Sequence, residues 1–371
     1  MAARVECRVD LGRLAENFAF LRKCAGDCSL MPVMKYDGYG LGAQRIAEKL
    51  KSCGAVRFAV ANVDEALALK KNGLDIQILG LLPDCEIPDA VAENIICPVT
   101  EFATAQAISR EACRQNKTAR IAVKLDTGMS RLGFVPENCC EEVVEIFKLP
   151  NLEPDSLFSH FSTAAKPDLE YAAFQIGRFK EAYGKLCSAG LHFPCVHHAA
   201  GDAIVKIPEA TRPPFNLARP GGIMYGEDFE SDCQQIITFA TRVGCIRKLT
   251  AGSSVGYFRT FTARKNMRVA VLTAGYADGI PLALSNRGHV LIRGRKCPVL
   301  GRVAMDYTIV DVSDVPEVVS GDEAILLGRQ GDECITVRQW GEWKNTHGHD
   351  IWCAIGHRTA RVYLDQQIKD L

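Results

Sequence analysis

The feature that most constrains the fold is the alternation of short apolar runs with helical repeats along the first part of the chain. Runs such as RFAVAN, IQILGLL and ARIAVKLD alternate with stretches whose apolar residues recur at helical spacing. This alternation is typical of βαβ units and a parallel sheet. About eight such units in roughly 230 residues predict a (β/α)8 TIM barrel, for which ~250 residues is typical. A doubly wound open sheet is the alternative.

The pattern changes after about residue 235. Segments such as NMRVAVLTAGYA and DEAILLGRQ are short and β-type, and Gly, Asn and Asp separate them. They indicate a second, mostly β domain. The predicted organisation is α/β: a barrel over residues 1–235, whose first strand can pack with the second domain, and a β-rich domain over residues 236–371.

Composition and charge exclude several classes of protein. The 371 residues are 47% hydrophobic and 24% charged, which is globular composition with room for a sizeable core. The 44 Lys and Arg balance the 44 Asp and Glu without a basic block, so neither nucleic-acid nor membrane binding is predicted. No apolar run approaches the ~20 residues that span a bilayer, and the N-terminus does not resemble a signal peptide.

The cysteines are numerous but scattered. There are 16, none in a C-x-x-C motif, and the closest pairs are Cys24 with Cys28 and Cys139 with Cys140. Zinc sites and disulfide frameworks normally have tighter spacing, so we expect mostly buried, reduced thiols and a cytoplasmic protein. The segment THGHD, residues 346–350, is interpreted as a polar loop because a third metal ligand is missing, and no metal site is predicted.

Lys35 is the first candidate functional residue. It ends the apolar run MPVM and precedes DGYGLGA, which resembles a dinucleotide loop. Ala43 stands where that loop needs its third glycine, so a nucleotide site is not predicted. The end of a barrel strand is where catalytic residues lie, and a desolvated lysine there would have a lowered pKa and act as an amine nucleophile. A surface lysine fits this position poorly.

Further polar residues follow other predicted strands. AVKLDTGMSRLGF contains Lys124, Asp126 and Arg131, and FSHFSTA contains His160. Arg219 in NLARPGGIMYG precedes two glycines, whose backbone N–H groups could approach an anion. Arg219 or His160 taken singly is more often structural. Together with Lys35, these residues predict one site.

Eight motifs in order resemble a known family: PVMKYDGYGLGA, VKLDTGMSRLGF, FSHFSTA, HHAAGDA, ARPGGIMYG, SSVGYFRTF, AGYADGIP and GRVAMDYTIVDVS. They are similar to those of the alanine racemases, which are fold-type III enzymes dependent on pyridoxal 5'-phosphate (PLP). The resemblance runs from about residue 30 to about residue 310, with a weaker match at IGHRTARVY. It implies a cytoplasmic homodimeric isomerase that interconverts L- and D-alanine, uses PLP and supplies D-alanine for peptidoglycan precursors.

The resemblance assigns the catalytic pair. Lys35 matches the lysine that bonds covalently to the cofactor and moves the Cα proton on one face. Tyr257 matches the opposing base, which in the family reaches the cofactor from the partner subunit. This is a two-base mechanism. Arg219 would donate to the pyridine nitrogen, and Tyr39 would contact the phosphate.

The resemblance also assigns the surrounding residues. His160 would lie by the cofactor ring, and Arg131 would lie near the substrate carboxylate and the cofactor phenol oxygen. Lys124 matches a lysine that is often carbamylated in the family and orients the arginine. Tyr276 and Met305 match positions by which the second subunit shapes the substrate end.

The chain departs from the family pattern near the phosphate. Gly201 and Asp202 replace an Asn-Ser pair whose serine contacts the phosphate. An aspartate facing a phosphate dianion would be repelled, so we expect it to turn away and the backbone N–H groups of Gly222 and Ile223 to bind the phosphate. His357 stands where the family often has a phosphate-contacting tyrosine. These changes leave a broader amino-acid racemase, acting on serine or other residues, as an alternative.

Three other functions can be compared with this pattern. A fold-type III decarboxylase would have a glycine-rich phosphate motif and a C-terminal cysteine site, which are missing here. A PLP homeostasis protein would be a single barrel near 230 residues, whereas this chain has a second domain. A catalytically retired PLP-binding paralogue has the same motifs and stays open.

Overall fold

Eight parallel strands close into a ring in the first part of the chain. The computed structural model describes residues 3–226 and 231–365. Three isolated parallel bridges, Val33 to Ala59, Gln77 to Ile96 and Ala200 to Arg219, join the parallel strand pairs into a circle. The α/β fold class with a barrel and a β-rich second domain is therefore confirmed, and the strands do not form the alternative open sheet.

The elements of the barrel part follow in chain order. Its strands are β2 (Ser29–Leu30), β3 (Arg57–Val60), β4 (Asp75–Ile78), β5 (Cys97–Val99), β6 (Ala119–Lys124), β7 (Leu152–Phe158), β8 (Cys195–His197) and β9 (Leu217–Ala218), preceded by β1 (Val5–Asp10). Its helices are α1 (Leu11–Ala25), α2 (Lys35–Tyr39), α3 (Ala43–Ser52), α4 (Val63–Lys70), α5 (Ile87–Ala92), α6 (Phe102–Arg114), α7 (Cys139–Ile146), α8 (Glu170–Ser188) and α9 (Ala203–Lys206), with 3₁₀ turns at Pro208–Thr211 and Gly222–Tyr225.

The second part is built on a mixed sheet. Its strands are β10 (Ile237–Leu249), β11 (Ser254–Val255), β12 (Phe261–Thr262), β13 (Met267–Leu272), β14 (His289–Ile292), β15 (Arg295–Pro298), β16 (Thr308–Asp311), β17 (Glu323–Gln330), β18 (Glu333–Ile335) and β19 (Ala360–Leu364). Its helices are α10 (Val337–Lys344) and α11 (Gly348–Cys353), with 3₁₀ turns at Tyr257–Arg259, Tyr276–Asp278 and Leu282–Leu284. The first strand, β1, lies in this sheet, antiparallel to β10 and parallel to β19.

Local signals explain where α1 begins and ends. The Asp10 carboxylate accepts a hydrogen bond from the Arg13 N–H at 2.9 Å, as an N-cap residue does. Gly26, with φ of 61°, follows the last turn, because glycine adopts the left-handed region without a Cβ clash. The buried face of α1 includes Leu14, Phe18 and Leu21. The capping residues and the apolar stripe are both visible in the sequence.

A compact ionic network closes the amino-terminal end of the barrel. Arg57 pairs with Asp75 at 2.9 Å and with Asp155 at 2.8 Å. Arg120 pairs with the same two carboxylates at 2.7 and 2.6 Å. Two cations and two anions therefore neutralise one another inside the chain.

The C-terminal segment holds the loop that carries the candidate lysine. The Arg361 guanidinium donates to the Gly40 carbonyl at 3.0 and 2.8 Å, and the Tyr363 hydroxyl donates to the Leu41 carbonyl at 3.0 Å. Because β19 pairs with β1, these bonds connect the second sheet to the top of the barrel. Within the described ranges, no helix combines the length and the apolar character needed to cross a membrane.

Candidate active site

A cavity of about 820 Å³ opens at the carboxyl ends of the barrel strands. This is the end at which barrel enzymes place their active sites. The predicted site residues that line the cavity are Lys35, Tyr39, Lys124, Arg131, His160, Arg219, Gly222 and Ile223. The structure thus brings together, from the ends of the four strands β2, β6, β7 and β9, residues that are up to almost 190 positions apart in the sequence.

The segment that carries Lys35 is a left-handed turn. Tyr36, Asp37 and Tyr39 have φ of 53°, 51° and 60°, a region that costs L-residues roughly 1–2 kcal/mol each. Side chains hold the turn: Glu65 accepts the Tyr36 N–H at 2.6 Å, and Asp37 accepts the Ala43 N–H at 2.8 Å. Strain of this kind is characteristic of functional sites.

Lys35 begins this turn and lines the cavity. Its side chain is exposed in the single chain, so the desolvated lysine expected from the apolar run MPVM is not present there. The apolar run is buried, but the turn carries the next residue out of the strand. The Lys35 Nζ lies 5.7 Å from the centre of the Tyr39 ring. Lys35 therefore presents an accessible primary amine to the cavity.

Tyr39 forms part of the cavity wall and is buried. Its ring packs edge-on against Tyr225, with centroids 5.5 Å apart. A Cβ added at Gly221 would lie 2.6 Å from the Tyr39 hydroxyl oxygen, so only glycine leaves the hydroxyl in place. Gly222 and Ile223 follow at the start of a 3₁₀ turn, where the first N–H groups of a helix have no partner within it. This corner offers a hydroxyl and backbone donors to an anion.

Arg219 is buried beneath the cavity. Its guanidinium donates to the Ser159 carbonyl at 2.6 Å and to the His198 carbonyl at 3.1 Å, and it also bonds to the ring of His197. Burial lowers the pKa of Arg219 below its usual range, yet an arginine stays protonated at neutral pH. Arg219 is therefore a buried cation held by neutral partners.

Lys124 ends β6 and is 5% exposed. Burial, followed by the charges of Arg219 and Arg131, lowers the pKa of Lys124 to about 7. A large fraction of its amine is consequently neutral and nucleophilic at neutral pH.

Arg131 lies on the loop after β6. The Asp126 carboxylate accepts four backbone N–H groups of this loop, including that of Arg131 at 2.8 Å, and these bonds lower the pKa of Asp126 despite its partial burial. Asp126 thereby fixes the loop that points Arg131 into the cavity.

His160 follows β7 and is neutral in this site. Burial, then the charges of Arg219 and Lys124, hold its pKa well below the ordinary value. Its Nδ1 lies 3.4 Å from the Arg219 guanidinium. Within the described part of the chain, none of the four basic residues Lys35, Lys124, Arg131 and Arg219 forms an ion pair with a carboxylate.

The three predicted residues of the second domain lie elsewhere. Tyr257 is 66% exposed, Met305 51% and Tyr276 42%, and they are not among the residues that line the cavity. A single chain therefore does not bring Tyr257 together with Lys35.

Two cavity residues were missed from the sequence. His347 and His349, at the start of α11, line the cavity, whereas the sequence pattern predicts only a polar loop there. His357, expected near the phosphate, is exposed and lies outside the cavity lining. The signal that could have found the pair is the helix that follows THGHD, since DIWC places Ile351 and Trp352 in the core. In residues 3–226 and 231–365, no group of three or more His, Cys, Asp or Glu could hold a metal ion.

The two residues that depart from the expected phosphate motif also line the cavity. The Asp202 carboxylate is drawn towards a cation of its own segment, since it lies 3.7 Å from the Lys206 amine. Gly201 adopts φ of 53°, in the left-handed region.

The cavity combines an amine, an excess of basic side chains and a corner of hydrogen-bond donors. This combination suits a small molecule with anionic groups.

The fold and this cavity define a two-domain barrel protein with a lysine-containing anion site. Its sequence matches two family models: alanine racemase, N-terminal domain, over residues 9–228, and alanine racemase, C-terminal domain, over residues 236–363. The alanine racemase of Carboxydothermus hydrogenoformans is 36% identical over 369 residues, which cover 97% of this chain and 99% of that protein. The chain belongs to the alanine racemase family, as the eight motifs predict.

Solved structures agree in fold over the whole chain. The alanine racemase from Bartonella henselae, with covalently bound pyridoxal phosphate, has a TM-score of 0.87 at 27% identity and covers 98% of this chain and all of that chain. The alanine racemase from Bacillus anthracis with bound L-Ala-P has a TM-score of 0.91 at 27% identity, covering 98% of this chain and 96% of that one.

Proposed function

We propose that this protein is a PLP-dependent racemase that interconverts L- and D-alanine. The observation that carries the proposal is the cavity at the carboxyl ends of the barrel strands. It presents the Lys35 amine together with the three further basic residues Lys124, Arg131 and Arg219, which have no carboxylate partners among the described residues. The alanine racemases named above match this chain over almost the full length of both proteins.

The residues present fit PLP, which carries an aldehyde, a phosphate, a phenol oxygen and a pyridine nitrogen. Lys35 supplies the amine for a covalent bond to the aldehyde. The Tyr39 hydroxyl and the N–H groups of Gly222 and Ile223 form the donor corner for the phosphate, and Gly221 lacks the Cβ that would crowd the Tyr39 hydroxyl. The bound cofactor would supply an electron-withdrawing ring that makes the Cα proton of an attached amino acid acidic.

Racemisation requires one proton to leave Cα on one face and another to arrive on the opposite face. Two acid/base groups on opposite sides can do this. Lys35 is the group within the chain. Tyr257 is the second group, brought by a partner copy of the chain, because it is exposed here and outside the cavity of its own chain.

Arg219, Arg131 and His160 orient the reacting groups. Arg219, a buried cation, would donate to the pyridine nitrogen and thereby disfavour its protonation. Arg131 would hold the substrate carboxylate and the phenol oxygen. His160 is neutral and can accept or donate a hydrogen bond beside the ring without adding charge.

Lys124 is proposed to carry a carbamate. Its pKa of about 7 supports this, because only the neutral amine attacks carbon dioxide. The nitrogen forms a bond to carbon, the lysine becomes an N-carboxylate, and one proton is released to solvent. The product replaces a buried cation by an anion, which would attract and orient Arg131.

The exposed apolar side chains of the second domain support a homodimer with shared active sites. Phe258 is 83% exposed and Tyr307 51%, in addition to the exposed Tyr257, Tyr276 and Met305. Large exposed apolar side chains are candidates for a contact with a partner chain, because burying them there removes them from water. Tyr276 and Met305 would then shape the substrate end of the partner's cavity.

The basic test measures conversion of L-alanine to D-alanine by the purified protein with PLP, together with exchange of the α-proton in D₂O. Conversion and exchange are both expected. Cofactor binding without exchange would favour the retired paralogue. Parallel kinetics on serine and lysine test the breadth of the substrate range, and a strict preference for alanine would exclude the broader racemase.

The shared site has its own test by mixing two inactive variants, Lys35→Ala and Tyr257→Phe. In a mixed dimer one cavity carries both substitutions and the other carries neither. Random reassociation should therefore restore about a quarter of the wild-type activity. If both groups came from one chain, mixing would restore nothing. A cytoplasmic location and a role in peptidoglycan precursor synthesis remain predictions.

A further inference from the structure

We propose that Gln175 and Tyr171 of α8 are positioning residues for racemisation, because they hold the loop that carries Arg131. The inference rests on the proposed function, since Arg131 is assigned there to the substrate carboxylate. Neither Gln175 nor Tyr171 lines the cavity, and neither lies in one of the eight sequence motifs.

The position of Gln175 is the first argument. It lies in the buried stripe of α8, which also includes Ala172, Ile176 and Phe179, and its side chain is fully buried. A buried amide costs free energy unless its hydrogen bonds are made. The bonds of the Gln175 amide therefore show what this residue contributes.

The Gln175 amide joins the loops that follow β6 and β7. Its nitrogen donates to the Thr127 hydroxyl and to the His160 carbonyl, both at 3.1 Å. Its oxygen accepts the Ser162 N–H at 3.0 Å and the Ser162 hydroxyl at 3.1 Å. These are the four bonds that a primary amide can make, and a carbonyl acceptor and an N–H donor fix its orientation. Gln175 therefore sets the position of the two loops relative to each other.

The loop after β6 connects Gln175 to Arg131. Thr127 is buried and lies four residues before Arg131. Its hydroxyl also bonds to the hydroxyl of Ser159 at 2.8 Å, and the Ser159 hydroxyl donates to the Leu125 carbonyl at 2.8 Å. A buried polar network whose bonds are all made rigidifies its surroundings. The start of the Arg131 loop is therefore held from the barrel and from α8.

Tyr171 holds the same loop one turn earlier in α8. Residues four positions apart lie on one face of a helix, and the Tyr171 hydroxyl donates to the Gly128 carbonyl at 2.9 Å. Gly128 has φ of 142°, and a Cβ there would lie 2.5 Å from the Tyr171 hydroxyl oxygen. This close approach requires glycine. One face of α8 thus fixes two successive loop residues, Thr127 and Gly128.

The expected consequence concerns substrate binding. A guanidinium binds a carboxylate best through two parallel N–H···O bonds, which require a defined direction. A loop held less firmly lets Arg131 take several positions, and the affinity for the carboxylate falls with the fraction that can bind it. The roles of Lys35 are not affected. KM for alanine should therefore rise more than kcat falls.

The experiment uses the full-length protein saturated with PLP and the variants Gln175→Met and Tyr171→Phe. Initial rates with L-alanine give KM and kcat. Calorimetric titration with propionate, which has the carboxylate and methyl group of alanine but no amine, gives the carboxylate affinity without turnover. Circular dichroism and thermal melting verify that each variant is folded.

Gln77→Met is the matched control. Gln77 is as fully buried as Gln175, but its side chain accepts a hydrogen bond from the Ser156 hydroxyl at 3.4 Å inside the barrel. A general loss of stability from removing a buried amide would appear in both glutamine variants. A loss of positioning would appear only in Gln175→Met.

The expected result separates binding from stability. Gln175→Met should raise KM for L-alanine and weaken propionate binding by the same factor, roughly tenfold or more, because four bonds are lost. Tyr171→Phe loses one bond at an exposed residue and should raise both values about threefold. Gln77→Met should keep the wild-type values even where its melting temperature falls.

Three results would overturn the inference: wild-type KM and propionate affinity in folded Gln175→Met, the same in Tyr171→Phe, or an equal rise of KM in Gln77→Met. Because Tyr171 is exposed, its variant keeps the test decisive if Gln175→Met does not fold. Wild-type protein that neither binds PLP nor racemises alanine would instead contradict the proposed function itself.

Discussion

The two ends of the barrel both contain buried charge, but they balance it differently. At the amino-terminal end, Arg57 and Arg120 share the carboxylates of Asp75 and Asp155, with all four nitrogen–oxygen distances between 2.6 and 2.9 Å. Although burial opposes it, hydrogen bonds from the two arginines lower the pKa of Asp75. The charges at that end therefore neutralise one another within the chain, without a ligand.

At the carboxyl-terminal end, by comparison, the buried basic side chains are not neutralised by carboxylates of the described residues. Arg219 and Lys124 are buried there without a carboxylate partner in the described ranges, and both have lowered pKa values because burial disfavours their charge. A buried charge without a partner costs several kcal/mol unless something compensates it. The difference indicates that the amino-terminal end contributes to stability, whereas the positive charge at the carboxyl-terminal end is suited to neutralisation by an anionic ligand.

The largest expected effect concerns the carboxyl-terminal end of the barrel, which contains Lys35 and is called the functional end below. Lys35→Ala should reduce racemisation at least ~10³-fold, because both the covalent attachment and one acid/base group are lost. The free energy of unfolding of the cofactor-free protein should change by no more than about 0.5 kcal/mol, since the side chain is exposed. Racemisation assays and urea unfolding measure the two quantities. Lys71→Ala, at another exposed lysine, is the control and should change neither.

The amino-terminal end of the barrel, called the stability end below, should show the opposite result: a substitution there should lower stability and leave cofactor binding unchanged. Asp155→Asn leaves Arg57 and Arg120 with one carboxylate, and breaking such a buried pair costs about 3 kcal/mol or more. PLP affinity of the folded protein should not change. Glu137→Gln, which removes an exposed partner of Arg178, should cost less than about 1 kcal/mol. A variant of Asp155 that keeps its stability but loses the cofactor would remove the distinction between the ends.

Much of the functional end could be predicted from the sequence, because strand ends are visible in it. Lys124 ends a short apolar strand, and Arg219 precedes a pair of glycines. Parallel strands bring such positions to one edge of a barrel wherever they lie in the chain. The same rule cannot place His349, which reaches the cavity from a helix of the other domain.

Other features depend on tertiary structure that no local pattern encodes. The left-handed turn after Lys35 places Tyr36, Asp37 and Tyr39 at positive φ, which is uncommon for residues other than glycine. Local propensity would assign these residues to ordinary turns, and only their bonds to other segments retain this geometry. The expected desolvation of Lys35 was wrong for the single chain, because burial of that side chain would require a covering surface that the chain alone does not supply.

A smaller effect should appear in the pH dependence of stability. Lys124 has a pKa of about 7 in the folded chain, whereas an unfolded lysine titrates near ~10.4. Between these values the unfolded state binds more protons, so the free energy of unfolding should rise with pH. In carbon dioxide-free buffer, wild-type protein should gain a few kcal/mol relative to Lys124→Met from about pH 7 to about pH 10. Urea unfolding measures this gain.

The exposed Lys71 again provides the control. Lys71→Met should show the same pH dependence as wild type. Parallel curves for wild type and Lys124→Met would mean that burial does not lower the pKa of Lys124 and would weaken the contrast between the two ends. Added bicarbonate should increase the mass of the wild-type chain by one carbon dioxide but leave Lys124→Met unchanged.

The smallest effect concerns the space kept around Tyr39. Gly221→Ala places a Cβ 2.6 Å from the Tyr39 hydroxyl oxygen and 3.6 Å from the ring carbon that carries it. Overpacking of this size costs about 1–3 kcal/mol. Removing the oxygen with Tyr39→Phe should recover at least half of that loss in the double variant, because the remaining contact is ordinary.

Urea unfolding of the two single variants and the double variant in the absence of cofactor gives the coupling directly. Gly177→Ala is the control: a Cβ there meets nothing within 4 Å, and the residue lies inside α8, so it should stabilise the chain by about 0.5–1 kcal/mol. Additive losses in the double variant would show that the backbone at Gly221, rather than the Tyr39 hydroxyl, requires glycine. In that case the donor corner would be shaped by chain geometry, and the functional end would resemble the stability end more closely than its charges indicate.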